Sequence, residues 1–257
     1  MTPHPPLTEH YSGNDGKTAY INQLFDAGSK HYDAISDWGF LHSGPFYNRW
    51  ALRRHGLRKG DQVLDVACGT GSVAVEAARI LGSADTVTCL DPSEGMLSVA
   101  RRKLRARFVV GRAEQLPFSD DSFDFLTMGF ALRHVTGLEE AFREYLRVLK
   151  PGGKVLILEI TKPSGRAGAF LFRLYFGRIY PFLTRVFTRS RDAQAMMVYF
   201  WETMDACVRP ESVLGALRSV GFVEAKRIGL LGLFSEYTAV KGPPTGCSRG
   251  PGPLIHA

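Results

Sequence analysis

Residues 63–80 read "VLDVACGTGSVAVEAARI". The opening run is apolar except for Asp65, as in a strand buried on both faces. Gly69 and Gly71 then supply a tight turn that lets backbone N–H groups approach a ligand, and the residues after them continue at helical period. The same letters fit a loose dinucleotide pattern, G-x-G-x-x-A, ending at Ala74. The turn alone therefore admits two ligands: a dinucleotide held for redox chemistry, or an adenosyl cofactor held for group transfer.

Outward from that stretch, short apolar runs alternate with helical patterns. Strands are expected at 62–67, 86–91, 106–111, 123–130, 154–160, 223–231 and 235–241, with helices at 72–81, 93–103, 138–149 and 210–220. In "EEAFREYLRVLK", Phe142, Leu146 and Leu149 fall on one stripe, and "PGG" ends the helix. Strands and helices alternating in this way predict an α/β fold with a doubly wound, mostly parallel sheet. Its ligand crevice lies at the carboxyl ends of the strands. Residues 1–17 and 242–257 are rich in Pro, Gly and polar side chains and are expected to be mobile, leaving one domain at 18–241.

Three features bear on the ligand. Asp65 precedes the glycines, where a carboxylate suits a cationic amino-acid moiety and opposes a pyrophosphate. Asp91 ends the second strand, where both ribose hydroxyls can donate to it in either cofactor. The loop Arg112–Leu116 follows the third strand, where an adenine would rest.

Composition narrows the class. The N-terminus has no apolar h-region, and no apolar run exceeds strand length, so a soluble, cytoplasmic protein is expected. Cys68, Cys89, Cys207 and Cys247 lack C-x-x-C spacing and read as reduced thiols, with no metal site. A formal charge of +7 raises nucleic acid as a partner, but "RRKLRAR" at 101–107 reads as a solvated helix end and no RNA-binding module accompanies it. No nucleic-acid partner is expected.

Together, "VLDVACGTGS", "LDPSEGML", "GRAEQLPFSDDSFDFL" and "LRVLKPGGKVLILE" resemble the class I S-adenosylmethionine-dependent methyltransferases. More narrowly, "FALRHV" and "FDAGSKHYD" are similar to the ubiquinone/menaquinone biosynthesis C-methyltransferase (UbiE/MenG-type) family. The resemblance covers roughly residues 20–241. It implies a Rossmann-like doubly wound seven-stranded sheet, mostly parallel with one antiparallel strand, plus a helical N-terminal lid and a helical cap insertion at about 163–208. It implies S-adenosyl-L-methionine as cofactor, its methionine part against Asp65, Ala67, Gly69, Thr70 and Gly71. Asp91 would take the ribose, Pro92 and Met96 would lie beside the adenine, Arg112 and Ala113 at its edge, and Gly129 near the sulfonium. Tyr32, in the lid segment, would cover the cofactor. Three positions depart from the family: Cys68 replaces a glycine, Arg112 an Asn or Asp, and "LRH" replaces "LRN".

Methyl transfer needs alignment in a dry site, and a base only to remove the substrate's proton. His134 is the candidate base; the alternative is a histidine that holds its loop. Arg133 is the second catalytic candidate, with a structural ion pair as its alternative. In the insertion, Phe170, Leu171, Leu174 and Tyr175 make a helical stripe broken by Pro181. They are expected to build the cap core, with some lining an apolar pocket. The interleaved arginines 173, 178, 185 and 189 suit a membrane surface or a substrate carboxylate. Tyr199, Glu202 and Tyr175 are the candidate substrate contacts. The expected substrate is a small hydroxylated aromatic or quinol-like molecule. His134 tilts the expectation towards O-methylation in natural-product (aromatic polyketide-type) biosynthesis, with C-methylation of a quinone precursor as the alternative.

Overall fold

The computed structural model describes residues 1–4, 13–40, 42–163 and 165–243. A seven-stranded sheet runs through the molecule in the order β3-β2-β1-β4-β5-β7-β6. Its strands are β1 (Val63–Val66), β2 (Val87–Asp91), β3 (Arg107–Val110), β4 (Phe123–Gly129), β5 (Leu149–Ile160), β6 (Phe222–Leu230) and β7 (Phe234–Lys241). The pairs β1–β2, β1–β4, β2–β3 and β4–β5 are parallel; β7 pairs antiparallel with both β5 and β6 and is the one reversed strand. This is the Rossmann-like sheet that the resemblance implies. All residues of β1 and β2 are buried, which explains their continuous apolar spelling.

Helices cover both faces. On one side, α2 (Gly44–Arg54) and α3 (Ser72–Leu81) bury Leu52, Val73, Ala74 and Ala77 against β1 and β2. On the other, α5 (Leu138–Val148) and α9 (Pro210–Ser219) pack on β4, β5 and β7. The stripe of α5 is Leu138, Ala141, Phe142, Tyr145 and Val148, whereas Leu146 is only partly buried. α4 (Glu94–Lys103) follows β2 and is capped by Ser93, whose hydroxyl accepts from the Met96 N–H at 3.0 Å.

A third core joins the lid to the insertion. Helix α1 (Gly13–Gly39) lies against α4, α7 (Tyr180–Thr188) and α8 (Arg191–Asp205), sharing Ile21, Leu24, Met196 and Tyr199 with them. Between α6 (Arg166–Leu174) and α7, residues Tyr175–Ile179 form a π turn. Pro181 therefore does not break the helix as expected; it sits in the first turn of α7, just after the widened turn, and is buried. The expected core stripe is also corrected. Phe172, Phe176 and Tyr180 face inward, while Phe170, Leu171 and Leu174 point to solvent.

The expected domain start at residue 18 falls inside α1, which begins at Gly13. The backbone of Met1 and Pro3 accepts hydrogen bonds from Leu138 and Val208 at 2.9 and 2.8 Å, so this end of the segment expected to be mobile is docked. Most of the expected tail, from residue 244 on, lies outside the described residues, as does Cys247. Among the described residues, no helix is long and apolar enough to cross a membrane, and no group of His, Cys, Asp or Glu could hold a metal ion.

Candidate active site

The carboxyl ends of β1, β2 and β4 meet under α1, where the strand order reverses. A cavity of about 350 Å³ opens there. A smaller recess of about 60 Å³ adjoins it, sharing Ile21, Asn22, Ala67, Pro92, Ala131 and His134 with it.

The glycine turn forms the floor. Gly69 (φ +55°) and Gly71 (φ +81°) hold left-handed conformations. A Cβ built on Gly69 would meet no atom within 4 Å and would project into open space. Gly71 caps α3 without any side-chain hydrogen bond; the Ala74 N–H is turned to Asp65, and the N–H groups ahead of it can meet a ligand carboxylate. Thr70 and Ser72 line the cavity beside them; Gly71 itself does not line it.

Asp91 lines the same floor. Its Oδ2 accepts from the Gly69 N–H at 2.8 Å and its Oδ1 from the Ser93 N–H at 2.9 Å. Each oxygen keeps a lone pair for a ligand hydroxyl. Burial pushes this carboxyl up to about 6, against the pull of those two N–H groups.

Asp65 stands elsewhere than expected. It lies beneath the turn, fully buried and off the cavity lining, with Oδ1 accepting from the Thr127 hydroxyl at 2.6 Å. Its Oδ2 has no hydrogen-bond partner, and burial raises the carboxyl to about 7 although the nearby Ala74 N–H partly offsets this.

The remaining expected cofactor contacts line one or both of the two spaces. Tyr32, Ala67, Pro92, Met96 and Gly129 line the main cavity, and Arg112 and Ala113 line the recess. A Cβ on Gly129 would come within 2.6 Å of Val73 Cγ2, so the small residue is required by α3 packing. In the recess Arg112 donates to the Thr136 hydroxyl at 3.3 Å. The Glu114 carboxylate, which also lines the recess, accepts from the Thr136 hydroxyl at 2.7 Å. Nothing in "GRAEQLPF" read alone distinguished Glu114 from a solvated acid.

The lid is tied to this floor by two acids of α1. Asp33 Oδ1 accepts from the Thr70 hydroxyl at 2.6 Å, and its other oxygen pairs with Lys103. Asp26 accepts from the Ser93 hydroxyl and, at 2.9 Å, from the Gly95 N–H.

His134 lines both cavity and recess. Its ring stacks on Tyr199 (centroids 5.7 Å apart) and meets Phe25 edge-on at 5.2 Å. Neither ring nitrogen has a hydrogen-bond partner. Burial, reinforced by the positive charge of Arg133, holds its pKa well below the ordinary histidine value, so the imidazole is neutral near pH 7. Asn22 Oδ1, also unpartnered and buried, lines the same two spaces. Asn22 carried no motif and was not foreseen.

Arg133 is corrected to its structural alternative. It is completely buried off the cavity, paired with Glu159 and lying 3.9 Å from the centre of the Phe200 ring. The candidate substrate contacts move as well. Tyr175 donates to the Gly39 carbonyl at 2.9 Å, Tyr199 packs behind His134, and neither they nor Glu202 line the cavity. The face that α8 turns to the cavity carries Phe200 instead, one residue along. With Phe25, Phe40, Tyr47, Phe130 and Phe234, it makes the upper cavity strongly aromatic.

The floor fits S-adenosylmethionine on three counts: an open cradle at Gly69, a helix N-terminus for a carboxylate, and a strand-end carboxylate for ribose hydroxyls. Comparison with known proteins agrees. Residues 14–232 match the model of the ubiE/COQ5 methyltransferase family. The chain is 33% identical over 228 residues to a ubiquinone/menaquinone biosynthesis C-methyltransferase UbiE from Marinomonas sp. (strain MWYL1), covering 85% of this chain and 88% of that one. It is 34% identical over 183 residues to a demethylmenaquinone methyltransferase from Staphylococcus aureus (strain MRSA252), covering 70% of this chain and 76% of that one. In fold it is similar to a SAM-dependent methyltransferase, possible histamine N-methyltransferase, from Thermotoga maritima, with a TM-score of 0.58, 18% identity, and 85% and 99% of the two chains covered.

Proposed function

Because the chain belongs to the ubiE/COQ5 methyltransferase family, we propose that it C-methylates a quinol-like ring carrying an apolar substituent. That it is an S-adenosylmethionine-dependent methyltransferase follows from the family itself. The observation that carries the finer reading is the pairing of an aromatic upper cavity with His134, a buried base whose two nitrogens are unpartnered. The expectation had leaned to O-methylation of a natural product. The relatives' names favour its alternative, methylation at carbon.

When bound, the cofactor supplies an electrophilic methyl group whose sulfur keeps the bonding pair on transfer. The chain's own part is to place and prepare the acceptor. A quinol hydroxyl that donates to neutral His134 gives up its proton as the ring attacks, which raises electron density on the ring carbons beside the oxygen. The carbon that gains the methyl then loses its own hydrogen, aromaticity returns, and the borrowed proton goes back to the oxygen. One proton is released overall. Arg133 positions this site: with Glu159 it fixes Phe200 against the cavity, and its charge adds to the burial that keeps His134 deprotonated. The aromatic walls exclude water from the transfer.

Turnover of labelled cofactor against matched quinols, with and without a short isoprenoid-like tail, tests this reading. A higher kcat/KM for the tailed quinol supports it. Turnover confined to small polar phenols would overturn it.

A further inference from the structure

The solvent face of the helix running through α6, the π turn and α7 has an unusual composition. Phe172, Phe176, Tyr180 and Thr184 are buried at every fourth residue, in register across the π turn. The opposite face consequently carries Phe170, Leu174, Arg178, Phe182 and Val186, again four apart. Phe170 is 66% exposed, Phe182 63% and Phe187 67%. No acidic residue occurs between Glu159 and Asp192, whereas Lys162 and Arg166, Arg173, Arg178, Arg185, Arg189 and Arg191 do. Among the described residues, only Arg173 of these arginines reaches an acid, Asp205, at 3.8 Å.

This face runs on towards the cavity mouth. Phe187 meets the exposed Trp38 ring of α1 at 5.2 Å, and Trp38 adjoins Asp37, which lines the cavity. Leu231, 81% exposed at the β6–β7 turn, lines the cavity too, and the exposed Phe46 follows Pro45 at its rim. An apolar opening is thus continued by exposed apolar side chains into the arginine-rich face of α6 and α7.

We propose that this face docks on an anionic phospholipid bilayer, with Phe170, Leu174, Phe182 and Phe187 inserted at the headgroup level and the arginines against lipid phosphates. Large apolar side chains beside basic ones, with no acid between, is the composition that binds such an interface. Charge also argues against a second copy of the chain as occupant. A twofold contact through this face would set arginines against arginines with no acid to relieve them. The proposal rests on the proposed function only for its purpose: a quinol with an apolar tail resides in the bilayer and enters the cavity from it.

The full chain should float with phosphatidylcholine vesicles containing phosphatidylglycerol, bind pure phosphatidylcholine vesicles more weakly, and release as salt rises. The double variant Phe182→Glu/Phe187→Glu should lose vesicle binding by about a hundredfold, since each aromatic contributes roughly tenfold on burial. It should keep wild-type cofactor affinity and wild-type turnover of a water-soluble quinol. Its turnover of a long-tailed quinol embedded in vesicles should fall together with binding. Wild-type vesicle binding that is absent, or that the variant retains, would overturn the proposal. A wild-type dimer that the variant converts to a monomer would overturn it in favour of self-association. Failure of the quinol reading shows separately, as no turnover of either quinol by the wild type.

Discussion

The Thr70 hydroxyl donates to Asp33 Oδ1 at 2.6 Å, joining the glycine turn to the helix laid across it. The turn on the cavity floor and the helix above it are therefore hydrogen-bonded to each other. Asp33→Ala should weaken cofactor binding by about threefold to tenfold, the range for a single hydrogen bond at a partly exposed site. Hydrogen exchange of the α1 amides should quicken in the same variant. Titration calorimetry and exchange mass spectrometry read the two effects, and unchanged protection of α1 would show that the lid is held by packing alone.

Asp91 sets a pH dependence. With its carboxyl pushed up to about 6, it is ionised at pH 7 and able to accept from two hydroxyls, and it becomes protonated below that value. Cofactor affinity should accordingly fall as pH drops through about 6. Asp91→Ala should lose about tenfold to a hundredfold in affinity at pH 7.5, the equivalent of roughly 1.5–3 kcal/mol, and should show no such pH step. Stability of the ligand-free protein runs the other way. A carboxyl raised in the fold favours folding below its unfolded pKa near 3.8, and that contribution is lost as pH rises through about 6. Melting curves across this window check the sign.

Arg133 and Glu159 form a buried pair with no route to solvent. Arg133→Met should destabilise the fold by about 3–5 kcal/mol, because Glu159 is left buried without its partner. Adding Glu159→Gln should restore much of that loss in denaturant unfolding. A positioning role predicts that the double variant recovers stability but shows an altered pH–rate profile, since the charge beside His134 is gone. A single variant of full stability and negligible turnover would instead place Arg133 in the chemistry.

Sheet and floor were legible in the sequence because each depends on local spelling. Buried parallel strands read as apolar runs, and Gly69, Gly71 and Asp91 sit at positions fixed by one strand and one turn. What failed depends on which face a helix presents. Tyr199 and Glu202 were chosen from the helix that does reach the cavity, but the bundle rotates Phe200 inward. Asp26 reaches Ser93 and Gly95 across more than 60 residues of chain, and Asn22 enters the cavity from the same helix, through contacts no periodicity announces. Phe170 and Leu174 likewise failed on helix face: they point to solvent, since α6 turns Phe172 inward instead.

His134 should be neutral from pH 7 to pH 8, as burial and the Arg133 charge hold its pKa well below the ordinary histidine value. Turnover should then show no inflection from this residue there. His134→Ala should lower kcat by about 10²–10⁴, with the deficit shrinking towards pH ~10, where a phenol ionises unaided. Full activity of His134→Asn at pH 7 would reduce the histidine to a spacer.

The central claim is that the acceptor is a ring carbon. Its most direct test is the position of the transferred group after reaction of a quinol with methyl-¹³C S-adenosylmethionine, read by carbon-13 NMR of the isolated product. The account predicts a labelled methyl at the chemical shift of an aryl-methyl carbon, with both ring hydroxyls still free. A labelled signal at the shift of a methoxy carbon would contradict it and make the enzyme an O-methyltransferase.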